Sequence, residues 1–246
     1  MAKTPIPLAR LPVLDNASSF FPGNDVFREG LVIPVDKPVG WSSFDVVRYI
    51  RNRIPVKKVG HAGTLDPLAT GLLILCCGRA TKSISQIQEQ RKTYIAEIMF
   101  GAATPSFDAA TPITEKASWT HLNRELISGA VKKSFIGELD QVPPVYSALW
   151  KDGQRMYKLA RKGIAVEPEP RRVVIHDLEI TEVRLPSITL EVRCGKGCYI
   201  RSLANDLAKE VGTVGYLSGL RRTEIGHFSV DKAWGTDQFN AWSGNG

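Results

Sequence analysis

The chain has 246 residues, of which 43% are hydrophobic and 23% charged, with a formal net charge of +7. That length suits one sizeable core, and a single catalytic domain is the expectation. No apolar run reaches the roughly 18 residues of a membrane span, and the proline-broken N-terminus "MAKTPIPLARLPVLDNASSFFPGN" lacks the apolar stretch of a secretory signal. A cytoplasmic protein without membrane attachment is therefore expected. The four cysteines, Cys76, Cys77, Cys194 and Cys198, form neither a disulfide framework nor a paired zinc pattern and read as buried or semi-buried thiols. The positive charge favours a polyanionic partner, of which nucleic acid is the usual one.

Residues 1–28 show no periodicity and read as an N-terminal arm. "GLVIPVDKP" is a short strand ending in a turn. Ser42 or Ser43 then caps a helix with Phe44, Val47, Ile50 and Ile54 as its apolar face and Arg48, Arg51 and Arg53 outside. A glycine-rich loop leads into the strand "LLILCCG" and the polar helix "ATKSISQIQEQ". "KTYIAEIMFGA" alternates with Tyr94, Ala96, Ile98 and Phe100 on one side. The spacing of Leu122, Leu126 and Ala130 predicts a helix between Thr120 and Phe135, and Pro143 and Pro144 forbid its continuation.

"GQRMYKLARKG" reads as a short helix closed by Gly163, "RRVVIHDLEITEVR" as a long strand, and "SITLEVRCG" as a strand alternating through Ile188, Leu190, Val192 and Cys194. Ile200, Leu203, Leu207 and Val211 mark an amphipathic helix ending near Gly212, and "RRTEIGHFSV" gives a last strand. Strands outnumber helices without regular alternation, so the fold class is α+β with a mixed or antiparallel sheet and flanking helices.

No phosphate-binding glycine loop, dinucleotide fingerprint, HExxH or GxSxG occurs. The distinctive chemistry lies in "KVGHAGTLDPLATG" (residues 58–71), where Pro67 biases Asp66 toward an extended backbone and Gly60 and Gly63 leave room for another chain. Asp66 is either a turn carboxylate or a nucleophile, and the second reading needs a cation to keep it ionised. Arg201, at the opening of a predicted helix, is available for that role, or is a solvated face residue. Tyr94 could stack on an unpaired base or sit in the core. His61 is open to use as a wedge in nucleic acid, a metal ligand or a general base. His121, His176 and His227 have no supporting motif. The basic runs 57–58, 91–92, 171–172 and 221–222 flank these segments and suit phosphate tracking.

"GHAGTLDPLATGLLILCCGRATK" resembles the signature of the TruB-type tRNA pseudouridine synthases. So do "VDKPVGWSSFDVV", "KTYIAEIMFGAATPSFD", "QVPPVYSALWKDGQRMYKLARKG" and "CGKGCYIRSLANDLAKEVG", in the family's order from about Leu31 to Phe228. The resemblance implies Asp66 as nucleophile, Arg201 as its ion-pair partner and Tyr94 stacking on the target uracil. It further implies that His61 belongs to a loop that enters the RNA, with Gly63 and Thr64 beside it, and that Tyr199, Lys37 and Leu220 line the pocket. The implied fold is the pseudouridine synthase fold, a mixed sheet around a central RNA-binding cleft. Residues 29–230 would form the catalytic domain and 231–246 a short C-terminal tail, without the C-terminal RNA-binding (PUA) domain of many relatives. Trp150 stands where a lysine is expected, and "CGKGC" where "CSKGT" is more familiar.

The implied reaction isomerises the T-loop uridine of tRNA, position 55, to pseudouridine. It needs no cofactor and no metal, and no protein partner is implied. One carboxylate suffices, where a glycosidase uses two and a water, because the departing base is retained and rejoined through C5. Two alternatives are a non-catalytic tRNA-binding or folding protein and a guide-RNA-dependent synthase acting on ribosomal RNA.

Overall fold

The structure, a computed structural model, describes residues 4–147, 149–151, 153–162, 164 and 167–243. In chain order the elements are α1 (Asn24–Glu29), β1 (Val32–Lys37), α2 (Ser43–Arg51), β2 (Val59–His61), β3 (Thr70–Cys77), α3 (Ile84–Gln88), β4 (Lys92–Phe100), β5 (Ala102–Ala103) and β6 (Glu115–Lys116). There follow α4 (Arg124–Ser134), β7 (Gly137–Gln141), β8 (Trp150–Lys151), β9 (Gln154–Arg155), α5 (Met156–Arg161), β10 (Arg171–Arg184), β11 (Ser187–Cys194), α6 (Ile200–Glu210), β12 (Gly215–Ile225), β13 (Phe228–Ser229) and α7 (Thr236–Trp242). The class is α+β, as expected. Gly163, expected to close α5, lies outside the described residues.

The chain divides into two compact units, residues 1–93 with 221–246 and residues 94–220. In the first unit β3 pairs antiparallel with β1 (Val32↔Cys76 to Lys37↔Gly71) and with β2 (Val59↔Cys77, His61↔Leu75). It pairs parallel with β12 at Arg221↔Thr70 and Arg222↔Gly71, so the sheet is mixed. The continuous apolar run of β3 is what a strand covered on both faces requires. Leu73, Leu75 and Cys77 join the core cluster holding Val46, Val47 and Ile50 of α2, and Leu72, Ile74 and Cys76 join the one holding Ala80, Ile87 and Phe228. All four thiols are free, and burial pushes Cys76 up to about 12 and Cys77 up to about 11.

Helix α2 starts with a complete capping box. Ser42 Oγ accepts from the Asp45 N–H, and the Asp45 carboxylate accepts from the Ser42 N–H. Its buried stripe is Ser43, Val46, Val47 and Ile50, whereas Phe44, expected on the apolar face, is 60% exposed. The stripe follows i, i+3, i+4, i+7 from Ser43, which leaves Phe44 about 60° beyond its edge at Val47.

The expected arm and tail are both packed into the first unit over their described residues. The Leu14 N–H donates to Val32 O, Trp234 Nε1 donates to Leu14 O, and Asn16 Nδ2 donates to the carbonyls of Asp231 and Ala233. Phe27, Trp234 and Phe239 are buried in one cluster, with Trp242 and Phe21 against them. Prolines hid this packing from a periodicity reading, because the segments dock through single side chains rather than through a regular face.

The second unit carries the strand order β4–β11–β10–β7. β11 and β10 are antiparallel from Arg184↔Ser187 to Ile175↔Cys194, and β10 and β7 from Arg171↔Gln141 to Ile175↔Gly137. Ile188, Leu190, Val192 and Cys194 are buried, as their alternation demands. In α4 the buried residues are Ile127 and Val131, while Leu126, expected inward, is 42% exposed. Asn123 caps that helix by accepting from the Leu126 N–H, which fixes Leu126 in the first turn and on the outer side. No helix among the described residues is long and apolar enough to cross a membrane.

Removing the Phe239 ring by Phe239→Ala should cost about 3 kcal/mol of stability through the cavity left behind. Urea unfolding checks this, and an unchanged midpoint would mean that α7 contributes nothing to the first unit's core.

Candidate active site

In the first unit the residues that resemble a catalytic signature form the connection from β2 to β3. Asp66 is half-buried in it and opens a turn closed by the Ala69 N–H on the Asp66 carbonyl, at 3.1 Å. Three side chains, and one backbone N–H, hold this loop by its backbone. Ser43 Oγ, in the first turn of α2, accepts from the Leu65 N–H (2.8 Å) and donates to Leu65 O (3.1 Å). The Gly40 N–H donates to Pro67 O at 2.8 Å.

Lys37 is the second holder. Its side chain is wholly buried, and its ammonium donates to Trp41 O (2.6 Å), Pro38 O (2.9 Å) and Pro67 O (3.2 Å). All three ammonium donors are committed to backbone carbonyls, so Lys37, which the resemblance implied lines the pocket, ties the β1 turn to the residue after Asp66. The third holder is Arg222, 2% exposed, which donates to Leu72 O (2.8 Å) and Gly63 O (3.2 Å), with Thr64 O at 3.5 Å.

Gly63 and Gly71 adopt φ +114° and +97°, a region side chains disfavour, and a Cβ on Gly71 would lie 2.2 Å from Arg222 O. Gly60 and Gly63 were expected to make room for another chain. Within this unit a Cβ on Gly60 would come within 2.9 Å of Ile84, so the fold already uses that space, whereas one on Gly63 would make only ordinary contact with Arg222 at 3.6 Å. Thr64 is exposed. His61, at the end of β2, is held below the usual imidazole value by burial, opposed by the Gly63 backbone and helped by the Arg222 charge. That shift favours the uncharged imidazole.

In the second unit Arg201, in the first turn of α6, is 5% exposed. It is not the solvated face residue that its position allowed. Its Nη1 donates to Ser106 O and Tyr146 O, both at 3.1 Å, and its Nε lies 3.6 Å from the Asp108 carboxylate. Asp108 is itself fixed by Ser106 Oγ (2.6 Å) and the Ala110 N–H (2.9 Å). Phe107, beside it, has φ +61°, a conformation a bulky residue adopts only where its surroundings impose it. Sequence reading missed Asp108, whose only signal was its place in a loop, "TPSFDAATP".

Tyr199 precedes α6 and is locked by Gln141, whose amide accepts from the Tyr199 N–H (2.7 Å) and donates to Tyr199 O (3.1 Å). Ser202 Oγ donates to Val142 O at 2.7 Å. The start of α6 is thus docked on residues 141–146 at three points. Tyr94 is in β4 and 8% exposed, and Leu220 is half-buried in β12. The expected site residues therefore fall into two groups: Lys37, His61, Gly63, Thr64 and Asp66 in the first unit, and Tyr94, Tyr199, Arg201 and Leu220 in the second.

Asp66 thus sits in a loop held by two buried cations, and Arg201 is a buried guanidinium fixed on two carbonyls and a carboxylate. Residues 51–200 match the TruB family pseudouridylate synthase N-terminal domain. A tRNA pseudouridine synthase B of Flavobacterium johnsoniae is 48% identical over 214 residues, covering 84% of this chain and 93% of that one. Its counterpart in Phocaeicola vulgatus is 45% identical over 222 residues, covering 88% and 94%. Among solved structures, a chain of a Cbf5–Nop10–Gar1 complex superposes with a TM-score of 0.67 at 26% identity, over 89% of this chain. The present chain spans 57% of that longer one. The chain belongs to the TruB family of pseudouridine synthases.

Burial lowers the Lys37 ammonium to about 8 from the ordinary 10.5, with Arg222 adding to the fall and Asp66 and Asp45 opposing it. The folded chain thus binds this proton less tightly than the unfolded chain, so between about pH 8 and 10.5 the group's contribution to stability rises with pH. Over the same window the ammonium loses one of the three N–H groups that hold the loop. Turnover should therefore fall above pH 8 without a parallel fall in melting temperature, and Lys37→Met should lack this limb. A limb that persists in Lys37→Met would assign it to another group.

Proposed function

We propose that this chain is a stand-alone tRNA pseudouridine synthase that isomerises the T-loop uridine, position 55, with Asp66 as its nucleophilic carboxylate. The observation that supports the residue assignment is the backbone clasp on either side of Asp66, which fixes one carboxylate where the chemistry requires one. Membership of the family and the names of the relatives support the reaction, tRNA uridine to pseudouridine.

The reaction breaks the N1–C1′ bond and forms a C5–C1′ bond in the same nucleotide. The C5 proton leaves to solvent and N1 gains one, so atoms balance without an external reactant. The uridine must first leave its stack, at a cost of a few kcal/mol. Tyr94 offers a ring that returns about 1–3 kcal/mol by stacking on the freed base. His61, at the end of β2, is the element we assign to entering the RNA, with Gly63 and Thr64 following it.

Arg201 supplies the charge that keeps the reacting carboxylate ionised, and Asp108 orients Arg201 in turn. Tyr199 and Leu220 line the uracil pocket. Of the basic runs, Lys92 and Arg222 are buried on backbone carbonyls and Arg221 is paired with Asp36, so the exposed Lys57, Lys58 and Arg91 supply phosphate contacts to the T-arm, and binding should weaken with salt. A tRNA substrate suits a cytoplasmic enzyme.

The test is release of tritium from uracil C5 of an unmodified tRNA transcript by the parent chain and by Asp66→Asn. The parent should release the label and the variant should release at least about a thousandfold less while binding tRNA normally. Substantial release by Asp66→Asn would remove Asp66 from the chemistry. Binding without release by the parent would favour the non-catalytic RNA-binding reading.

A further inference from the structure

Arg222 stands out among groups that the reading above does not use. Among the described residues it is the largest of the fully buried side chains, at 2% exposure, yet it carries a full charge and forms no ion pair there. An arginine taken out of water without a carboxylate must have its donors met by well-placed carbonyls. Those carbonyls all belong to one short stretch. Nη2 donates to Gly63 O, Nη1 points to Thr64 O at 3.5 Å and Nε donates to Leu72 O at 2.8 Å. The acceptors thus precede Asp66 by two and three residues and follow it by six.

The backbone of Arg222 is placed just as firmly. β12 runs parallel to β3 with Arg222 opposite Gly71, and only the absence of a Cβ at Gly71 allows that approach. One residue earlier, Arg221 makes a two-pronged pair with Asp36 of β1, at 3.0 and 2.7 Å. The neighbouring arginines therefore do different work. Arg221 is a partly exposed strand tie, and Arg222 reaches beneath the loop that presents Asp66.

We propose that Arg222 is a positioning residue for Asp66, its planar guanidinium fixing the loop by carbonyls on both sides of the carboxylate. Lysine could replace the charge but not the fork, because a guanidinium presents donors in fixed, divergent directions and an ammonium does not. Misplacing a reacting group by about 1 Å costs on the order of a hundredfold in rate. The RNA is bound by other surfaces, so the loss should fall on the chemical step. This inference rests on Asp66 as the reacting carboxylate.

The experiment compares the parent, Arg222→Lys, Arg222→Met and Asp66→Asn as full chains, by single-turnover tritium release, by tRNA binding and by thermal unfolding. Arg222→Lys should bind tRNA within about threefold of the parent and release label about a hundredfold more slowly, with Arg222→Met slower still. If Arg222→Met does not fold, Arg222→Lys decides alone. A parental rate in Arg222→Lys, or a loss of rate matched by an equal loss of binding, would overturn the positioning role while Asp66→Asn remains inactive. Turnover by Asp66→Asn would instead overturn the Asp66 assignment, whatever the arginine variants do.

Discussion

A buried cation must replace its lost hydration with hydrogen bonds, and the first unit satisfies two such cations from the backbone around Asp66. Lys37 takes the carbonyls of Pro38, Trp41 and Pro67, while Arg222 takes those of Gly63 and Leu72. Releasing either would leave a desolvated charge and several buried carbonyls without donors, a penalty far above that of an ordinary surface contact. The loop is therefore held by the cost of letting go. Its glycines at 63 and 71, the capping of α2 that places Ser43, and the parallel pairing of β12 with β3 all serve this arrangement.

The second unit solves a related problem differently. Arg201 is buried with a carboxylate, Asp108, and with two carbonyls, which fixes the plane of its guanidinium. A buried ion pair is weak as a source of stability, since desolvation offsets most of the attraction. Its value lies in direction. The same end of α6 carries Tyr199, pinned through both its backbone groups by Gln141, so two residues that the family resemblance singles out share one rigid start of a helix.

Much of the local structure was legible in the sequence. The alternation in "SITLEVRCG" and the helical spacing of Ile200, Leu203 and Leu207 place β11 and α6 with their buried faces correctly. Asp66 stood out by its setting between glycines and a proline. Phe44 and Leu126 were misread because an apolar residue in the first turn of a helix can match the spacing and still lie outside the buried stripe. The packing of the terminal segments, the orienting role of Asp108 and the clasp of Arg222 rest on partners more than 90 residues apart in sequence, and no local pattern records such pairings. Arg222 looked like half of a basic surface pair, and only its burial separates it from Arg221.

The central claim is that this chain alone converts one T-loop uridine. The most direct measurement maps pseudouridine by carbodiimide modification and primer extension on an unmodified tRNA transcript incubated with the purified chain, with no guide RNA or other protein present. The account predicts a single new stop that reports position 55. No stop there, or a stop that appears only when a guide RNA and partner proteins are added, would contradict it.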